Sequence, residues 1–390
     1  MRASLFDPNI AAAPLYVAGT AIEEIQRRYG LQEVIKLASN ENPLGPSPKA
    51  LAAIERALPD LFRYPAVADD ELRAALAAHD GLSPENVVTG NGATELLDMI
   101  VRGFVRAGDE VILSRPTFPM MDILTQRAGG RVVYADFCPQ GVKVTFVYDP
   151  EAVLAAVSAH TRLIYICTPN NPTGTVVSQA QVQALISGLE RTAAPGAIVV
   201  LDESYRDFAD TPWDATDDVR ERRNLIAVRS FSKSWGLAGL RVGYAFARRE
   251  IAEYLQRLRL PFHLGVAALR GALAALDDAE HVARSRALVL AERPWLEAQL
   301  AELGLPYIPS QANFVCFRPP FSADLVFQRL LRLGVIIRPL SLFYMPDWMR
   351  VTVGTHAQNE RFIAALRTVL EELHQSGAET QETTAERVAI

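Results

Sequence analysis

Between residues 70 and 246, short runs of apolar and β-branched residues alternate with amphipathic stretches of helical period. This alternation predicts strand–helix units around a parallel sheet. Strands are expected at 86–89, 110–113, 131–134, 163–167, 197–201, 225–228 and 242–246. Helices are expected at 70–79, 94–105, 119–127, 151–158 and 179–190. Upstream, 22–29 is amphipathic, and Ser47 followed by Pro48 reads as an N-cap and first helical position, opening a helix to about Leu58. Between them, Ser39-Asn40-Glu41-Asn42-Pro43-Leu44-Gly45-Pro46 is too rich in Asn, Pro and Gly for helix or central strand. After about residue 270 the pattern lengthens. A helical stretch at 279–303, interrupted at Pro294, precedes a strand at 314–317, a helix at 323–333, strands at 335–338 and 350–353, and a last helix at 360–373. The fold class is therefore α/β: a large domain with a mostly parallel sheet flanked by helices, plus a smaller α+β domain. The expected boundaries are 46–270 for the large domain and 271–374 for the small one. Residues 1–45 form an N-terminal arm and part of the small domain, and 375–390 a disordered tail poor in large apolar residues.

Composition mainly excludes. With 39 Lys+Arg against 45 Asp+Glu, the net charge is −6 and no like-charge block appears, so no nucleic-acid partner is expected. Cys138, Cys167 and Cys316 are odd in number and far apart, which fits neither a disulfide framework nor a zinc site; no metal is expected. No apolar run reaches the roughly 18 residues of a membrane helix. Asp7 and Pro14 interrupt the mildly apolar 10–19 stretch, so no signal peptide is expected either. A cytoplasmic protein without a membrane partner is the reading.

In a parallel α/β sheet, ligands sit beyond the carboxyl ends of the strands. The first such end opens a helix through Gly90-Asn91-Gly92-Ala93-Thr94, where free N–H groups could cradle an anion; the plain alternative is a strand–turn–helix junction. The second runs into Thr168-Pro169-Asn170-Asn171-Pro172-Thr173-Gly174, a fixed loop with amides held outward, or simply a β–α connection. The third ends in Asp202-Glu203-Ser204-Tyr205. An acid closing a wholly apolar strand is costly to bury without a cation, unless Asp202 only caps the next helix. The fourth continues as Arg229-Ser230-Phe231-Ser232-Lys233, with Arg241 eight residues beyond the lysine. Ser230, Ser232 and Arg241 could hold a phosphate dianion and leave Lys233 free as a nucleophile, whereas a lone loop lysine is usually solvated. A ligand that uses all four ends carries a phosphate, a phenol-like oxygen, a ring-nitrogen cation and an aldehyde, which describes pyridoxal 5'-phosphate.

These residues also carry a family likeness. From about residue 14 to 373 the chain resembles the fold-type I, class I/II pyridoxal-phosphate aminotransferases through Pro-Asn-Asn-Pro-Thr-Gly (169–174), Asp-Glu-Ser-Tyr (202–205) and Ser-Phe-Ser-Lys with Arg241. Within them it is nearest the histidinol-phosphate aminotransferase branch, through Leu15-Tyr16-Val17, 37–48, Arg63-Tyr64-Pro65, 334–338 and 349–355. The resemblance implies transfer of an amino group from a small-molecule donor to a 2-oxo acid, by a homodimer with shared active sites. It implies that Lys233 anchors the cofactor and then moves the substrate proton. Asp202 faces the ring nitrogen, Asn171 and Tyr205 the phenolic oxygen, and Phe118 the ring face. Ala93, Thr94, Ser230, Ser232 and Arg241 hold the phosphate, and Tyr64 reaches the neighbouring subunit's cofactor. Arg350 takes an α-carboxylate, and Arg338 with Tyr16 the distal part of the substrate.

The chain departs from the branch pattern at several places. Phe118 stands where Tyr is frequent, and Thr94 where an acid is common. Leu15, Ala18 and Thr20 replace two prolines and a lysine of the N-terminal motif. These changes touch the substrate more than the cofactor. An aromatic amino-acid aminotransferase and a threonine-phosphate decarboxylase therefore stay open. A non-enzymatic binding protein on this fold would be expected to lose the lysine, and Lys233 and Asp202 are both present.

Overall fold

The computed structural model describes residues 5–17, 19–65, 69–140, 145–221 and 224–380. Ala18 and most of the expected tail lie outside that set. Seven strands form the central sheet, in the order Val87–Gly90, Gly243–Ala247, Leu225–Ser230, Ile198–Asp202, Thr161–Cys167, Glu110–Leu113, Arg131–Tyr134. All neighbours are parallel except Gly243–Ala247, which is antiparallel to both strands beside it. The twelve residues 231–242 contain no crossover helix, so the chain turns back instead of re-entering parallel. The period of two along the strands divides the core. Ile164, Ile166, Val199, Leu201 and Ala227 face one apolar cluster, and Leu163, Tyr165, Val200, Ile226 and Val228 face the other. Both faces are covered by helices, which is why these strands read as continuous apolar runs.

A second, four-stranded antiparallel sheet has the order Tyr307–Ile308, Phe314–Phe317, Met349–Thr352, Arg338–Pro339. Helices Ala279–Glu302, Ala323–Arg332 and His356–Gln375 pack on it through Leu296, Leu300, Val326, Leu330, Phe362 and Leu366. The N-terminal segment belongs with this part of the molecule. Ile35–Lys36 pairs in parallel with Val335–Ile336.

Several expectations need correction. Pro294 does not interrupt its helix, which runs unbroken from Ala279 to Glu302. Val289, Leu296 and Leu300 are buried on both sides of the proline, and that packing offsets its missing hydrogen bond. The strand expected at 335–338 is two pieces in two sheets, because Ile337 separates the partner of Ile35–Lys36 from the partner of Met349–Thr352. The last helix starts at His356, four residues early, behind a Thr355/Gln358 capping box. Helices Arg249–Gln256 and Val266–Leu276 were not expected. The second is Ala/Leu-rich nearly all round and lacks the polar stripe that marks a surface helix.

Candidate active site

Asp202 is the last residue of its strand, in register with Cys167 and Val228, and is 4% exposed. Its Oδ2 accepts from the Tyr165 hydroxyl at 2.9 Å, and its Oδ1 from Ser204 N and Oγ at 3.0 and 2.6 Å. All these donors are uncharged, and burial pushes the Asp202 carboxyl above its ordinary range. Glu203, the next residue, is bound to Arg229 Nε at 2.8 Å, and the buried Arg229 guanidinium also holds Asp80 and the half-exposed Asp214. The two neighbouring acids are therefore not equivalent. One has a guanidinium, and the other borders a cavity with none hydrogen-bonded to it.

Lys233 lies just beyond the Leu225–Ser230 strand. Its Nζ donates to the Ser39 carbonyl at 3.0 Å and stands 5.6 Å from the centre of the Tyr205 ring. Burial first, and the positive charge of Arg350 second, hold its amine down to about 8. Tyr205 accepts from Asn40 Nδ2 at 3.0 Å and Asn171 Nδ2 at 3.3 Å, and burial raises its phenol well above the usual value.

The anion cradle is built by close backbone packing. Gly92 has φ 78° and ψ 168°, and it caps the helix Ala93–Phe104. A Cβ on Gly92 would lie 2.2 Å from Arg241 Nη2, and one on Gly243 would lie 2.5 Å from the Ala93 amide nitrogen. Arg241 is itself left-handed at φ 57°, with Nη1 at 3.5 Å from Ser232 Oγ, and Ser232 N donates to Ser230 Oγ at 3.1 Å. The antiparallel strand serves this arrangement, since Gly243 lies opposite both Gly90 and Ser230.

Arg338 and Arg350 form the far wall. They are directly opposed across two antiparallel strands and are 8% and 4% exposed. Arg350 donates to Asn171 Oδ1 and to the Ala38 carbonyl, and its Nε is buried without a partner. Arg338 Nη2 donates to the Val17 carbonyl at 2.6 Å. Phe343 packs beneath both guanidinium groups, and Phe118 lies between Phe343 and Tyr16, at 6.4 and 6.1 Å between ring centres.

One cavity of about 330 Å³ is bordered by Lys233, Asp202, Tyr205, Ala93, Thr94, Phe118, Asn171, Ser230, Ser232, Arg241, Tyr16, Arg338 and Arg350. Of the residues given a site role from sequence, Tyr64 lies outside it: it is 82% exposed and stacks on Phe262 at 4.6 Å. Sequence reasoning gave no role to Asn40, Tyr165 or Ser204. Asn40 had a signal, since it sits in an Asn/Pro-rich string and takes a left-handed φ of 56°. Tyr165 had none, because its partner Asp202 is reached only through the sheet.

These features define a class. Residues 32–366 match the family described as aminotransferase class I and II, and the chain belongs to that family. It is a pyridoxal-phosphate-dependent aminotransferase of fold type I. Its relatives narrow this further. The histidinol-phosphate aminotransferase of Anaeromyxobacter sp. (strain Fw109-5) is 42% identical over 94% of this chain and 99% of that protein. That of Moorella thermoacetica is 42% identical over 91% and 90%. Among solved structures, a Sinorhizobium meliloti histidinol-phosphate aminotransferase with pyridoxal-5'-phosphate superposes with a TM-score of 0.83, at 29% identity over 95% and 98% of the chains.

Proposed function

We propose that this enzyme transfers the amino group of histidinol phosphate to 2-oxoglutarate, as a cytoplasmic homodimer serving histidine biosynthesis, with pyridoxal 5'-phosphate held in the strand-end cavity. The residues fit that cofactor. Asp202 is a buried carboxylate whose donors are all neutral, and a protonated ring nitrogen is the cation it lacks. Gly92 leaves room for the Arg241 guanidinium at the helix N-terminus, where it lines the cavity with Ser230 and Ser232 and suits an anion. When bound, the cofactor supplies an aldehyde carbon for the amine and an electron-withdrawing ring.

The chain's own groups then have distinct tasks. Asp202 would keep the ring nitrogen protonated. Asn171 and Tyr205 would donate to the ring oxygen, Tyr205 remaining a phenol because burial raises it. Phe118 would cover the ring face. Lys233, held near 8, would move the proton between substrate Cα and cofactor C4′, across the nitrogen that joins them.

One observation carries the substrate reading: two buried arginines stand opposite each other on one wall. Like charges across strands are destabilising unless an anion lies between them. Arg350 suits an α-carboxylate, and Arg338, beside Tyr16, suits a distal phosphate or carboxylate. The relatives named histidinol-phosphate aminotransferase support the phosphate. The aromatic wall of Tyr16, Phe118 and Phe343 equally suits an aromatic amino acid, and the test separates the two. Half-reactions followed by cofactor absorbance should show histidinol phosphate as the best donor. Arg338→Ala should cost histidinol phosphate and glutamate on the order of 2–4 kcal/mol, roughly 30- to 1000-fold in kcat/KM, and spare phenylalanine. Rapid turnover of phenylalanine and none of histidinol phosphate would assign an aromatic aminotransferase.

The dimer reading rests on the outer face. Phe62, Tyr64 and Leu260 are 76%, 82% and 67% exposed, more apolar surface than solvent favours. In a two-fold pair, Tyr64 would reach the partner's cofactor.

A further inference from the structure

The loop joining the two arginine strands contains a strained residue. Tyr344 has φ 64° and ψ 22°, in the left-handed region that side chains with a Cβ avoid. Such a conformation persists only where its surroundings hold it. Here the Tyr344 hydroxyl donates to Asp122 Oδ2. Asp122 lies on the helix Met120–Arg127, which starts two residues after Phe118, and is 4% exposed. The same Oδ2 accepts from the Tyr134 hydroxyl at 2.7 Å, and Oδ1 accepts from Gln126. Arg115, fixed to Asp136 at 3.0 and 2.7 Å, lies over the Tyr134 ring at 3.9 Å and the Tyr344 ring at 5.5 Å.

The two phenol oxygens lie 3.4 Å apart, but they differ in what they tie to Asp122. Tyr134 ends an edge strand of the seven-stranded sheet, the same part of the molecule that carries Asp122. Tyr344 comes from the loop of the four-stranded sheet. That loop is closed on itself, Leu340 N donating to the Trp348 carbonyl at 3.0 Å. Its Phe343 sits 5.9 Å from the Arg338 guanidinium and 5.3 Å from that of Arg350. Whatever fixes Tyr344 therefore fixes the distance between the arginine wall and Phe118.

We propose that Asp122 and Tyr344 are positioning residues for the substrate: their hydrogen bond clamps the 340–348 loop, and with it the arginine wall, onto the helix behind Phe118. The inference rests on the reading of Arg338 and Arg350 as holders of the substrate's anionic ends. With the hydroxyl seated, the loop is held against that helix despite the left-handed backbone at Tyr344.

Hydrogen–deuterium exchange of the cofactor-loaded enzyme, without substrate, reads the clamp directly. Tyr344→Phe keeps the ring and removes one oxygen. It should speed exchange in residues 340–348 by about tenfold, the scale expected for losing one hydrogen bond to a charged acceptor. Tyr134→Phe should leave that segment within about twofold. In steady state with glutamate as donor, Tyr344→Phe and Asp122→Asn should each raise KM by about five- to tenfold with kcat within about twofold. The cofactor absorption band should not move, and the double variant should be no worse than the poorer single one. Unchanged exchange in Tyr344→Phe would overturn the clamp. So would an equal loosening in Tyr134→Phe, or a joint fall of kcat and the absorption band. Should Asp122→Asn not fold, Tyr344→Phe alone decides. An Arg350→Lys enzyme with normal KM for glutamate would overturn the arginine assignment instead, since the exchange experiment does not depend on it.

Discussion

Gly92→Ala is the sharpest probe of the anion cradle, because its two costs fall on different observables. At φ 78° and ψ 168° the backbone occupies a region used almost only by glycine, so alanine there costs about 1–3 kcal/mol of folding free energy. The new Cβ would also stand 2.2 Å from Arg241 Nη2, well inside the 3.4–4 Å of ordinary contact. Either the guanidinium swings away or the helix N-terminus shifts, and in both cases the charge-assisted contact proposed for the cofactor phosphate would be lost. Such contacts contribute roughly 1.5–3 kcal/mol, which is roughly 10- to 100-fold in affinity. Thermal unfolding of the cofactor-free protein reads the first cost. Titration of the folded variant with pyridoxal 5'-phosphate, followed by absorbance, reads the second. Gly239→Ala is the control, since a Cβ there meets open space. Wild-type affinity in Gly92→Ala would show that the seating of Arg241 against Gly92 does not serve phosphate binding.

Two further outcomes are expected. Lys233 is held at about 8 against an ordinary 10.5, so the folded state binds its proton less tightly than the unfolded chain does. The cofactor-free protein therefore carries a penalty of about 3 kcal/mol below pH 8, which fades as pH rises to 10.5. Lys233→Met should raise the melting temperature of the cofactor-free protein at pH 7, and that advantage should shrink towards pH 10; an equal gain at both values would reject the buried-amine account. If sites are shared, mixing inactive Tyr64→Ala and Lys233→Ala proteins should restore activity, because half the dimers hold one intact site. About a quarter of the wild-type rate is the ceiling, and no recovery after demonstrated subunit exchange would count against sharing.

The strand ends were readable because chemistry there interrupts a strong pattern. Asp202 closes four apolar residues, and Lys233 and Arg241 follow the next strand within eleven residues of its end at Ser230. All three line one cavity. What sequence did not disclose depends on distant pairing. Asn40 meets Tyr205 across 165 residues, and Tyr165 meets Asp202 across 37. The Asn/Pro-rich string marks Asn40 as unusual but not its partner, and nothing local marks Tyr165. The reversed Gly243–Ala247 strand was legible in principle from the short 231–242 link, but its residues are buried throughout and give no directional signal. The split of 335–338 was not legible, since Val-Ile-Ile-Arg suits one strand as well as two.

Order of assembly is set by the pairing of Ile35–Lys36 with Val335–Ile336. The Leu37 amide donates to the Ile336 carbonyl at 2.7 Å, the Thr352 amide to the Leu37 carbonyl at 2.8 Å, and the Asn40 amide to Thr352 Oγ1 at 2.9 Å. The Ser39 carbonyl that receives Lys233 is therefore fixed by chain made some three hundred residues later. During synthesis this N-terminal segment has no strand partner until residues 335–352 have been made. The two ends of the chain must therefore meet before the Ser39 carbonyl stands where Lys233 reaches it, and the loop they close spans roughly three hundred residues.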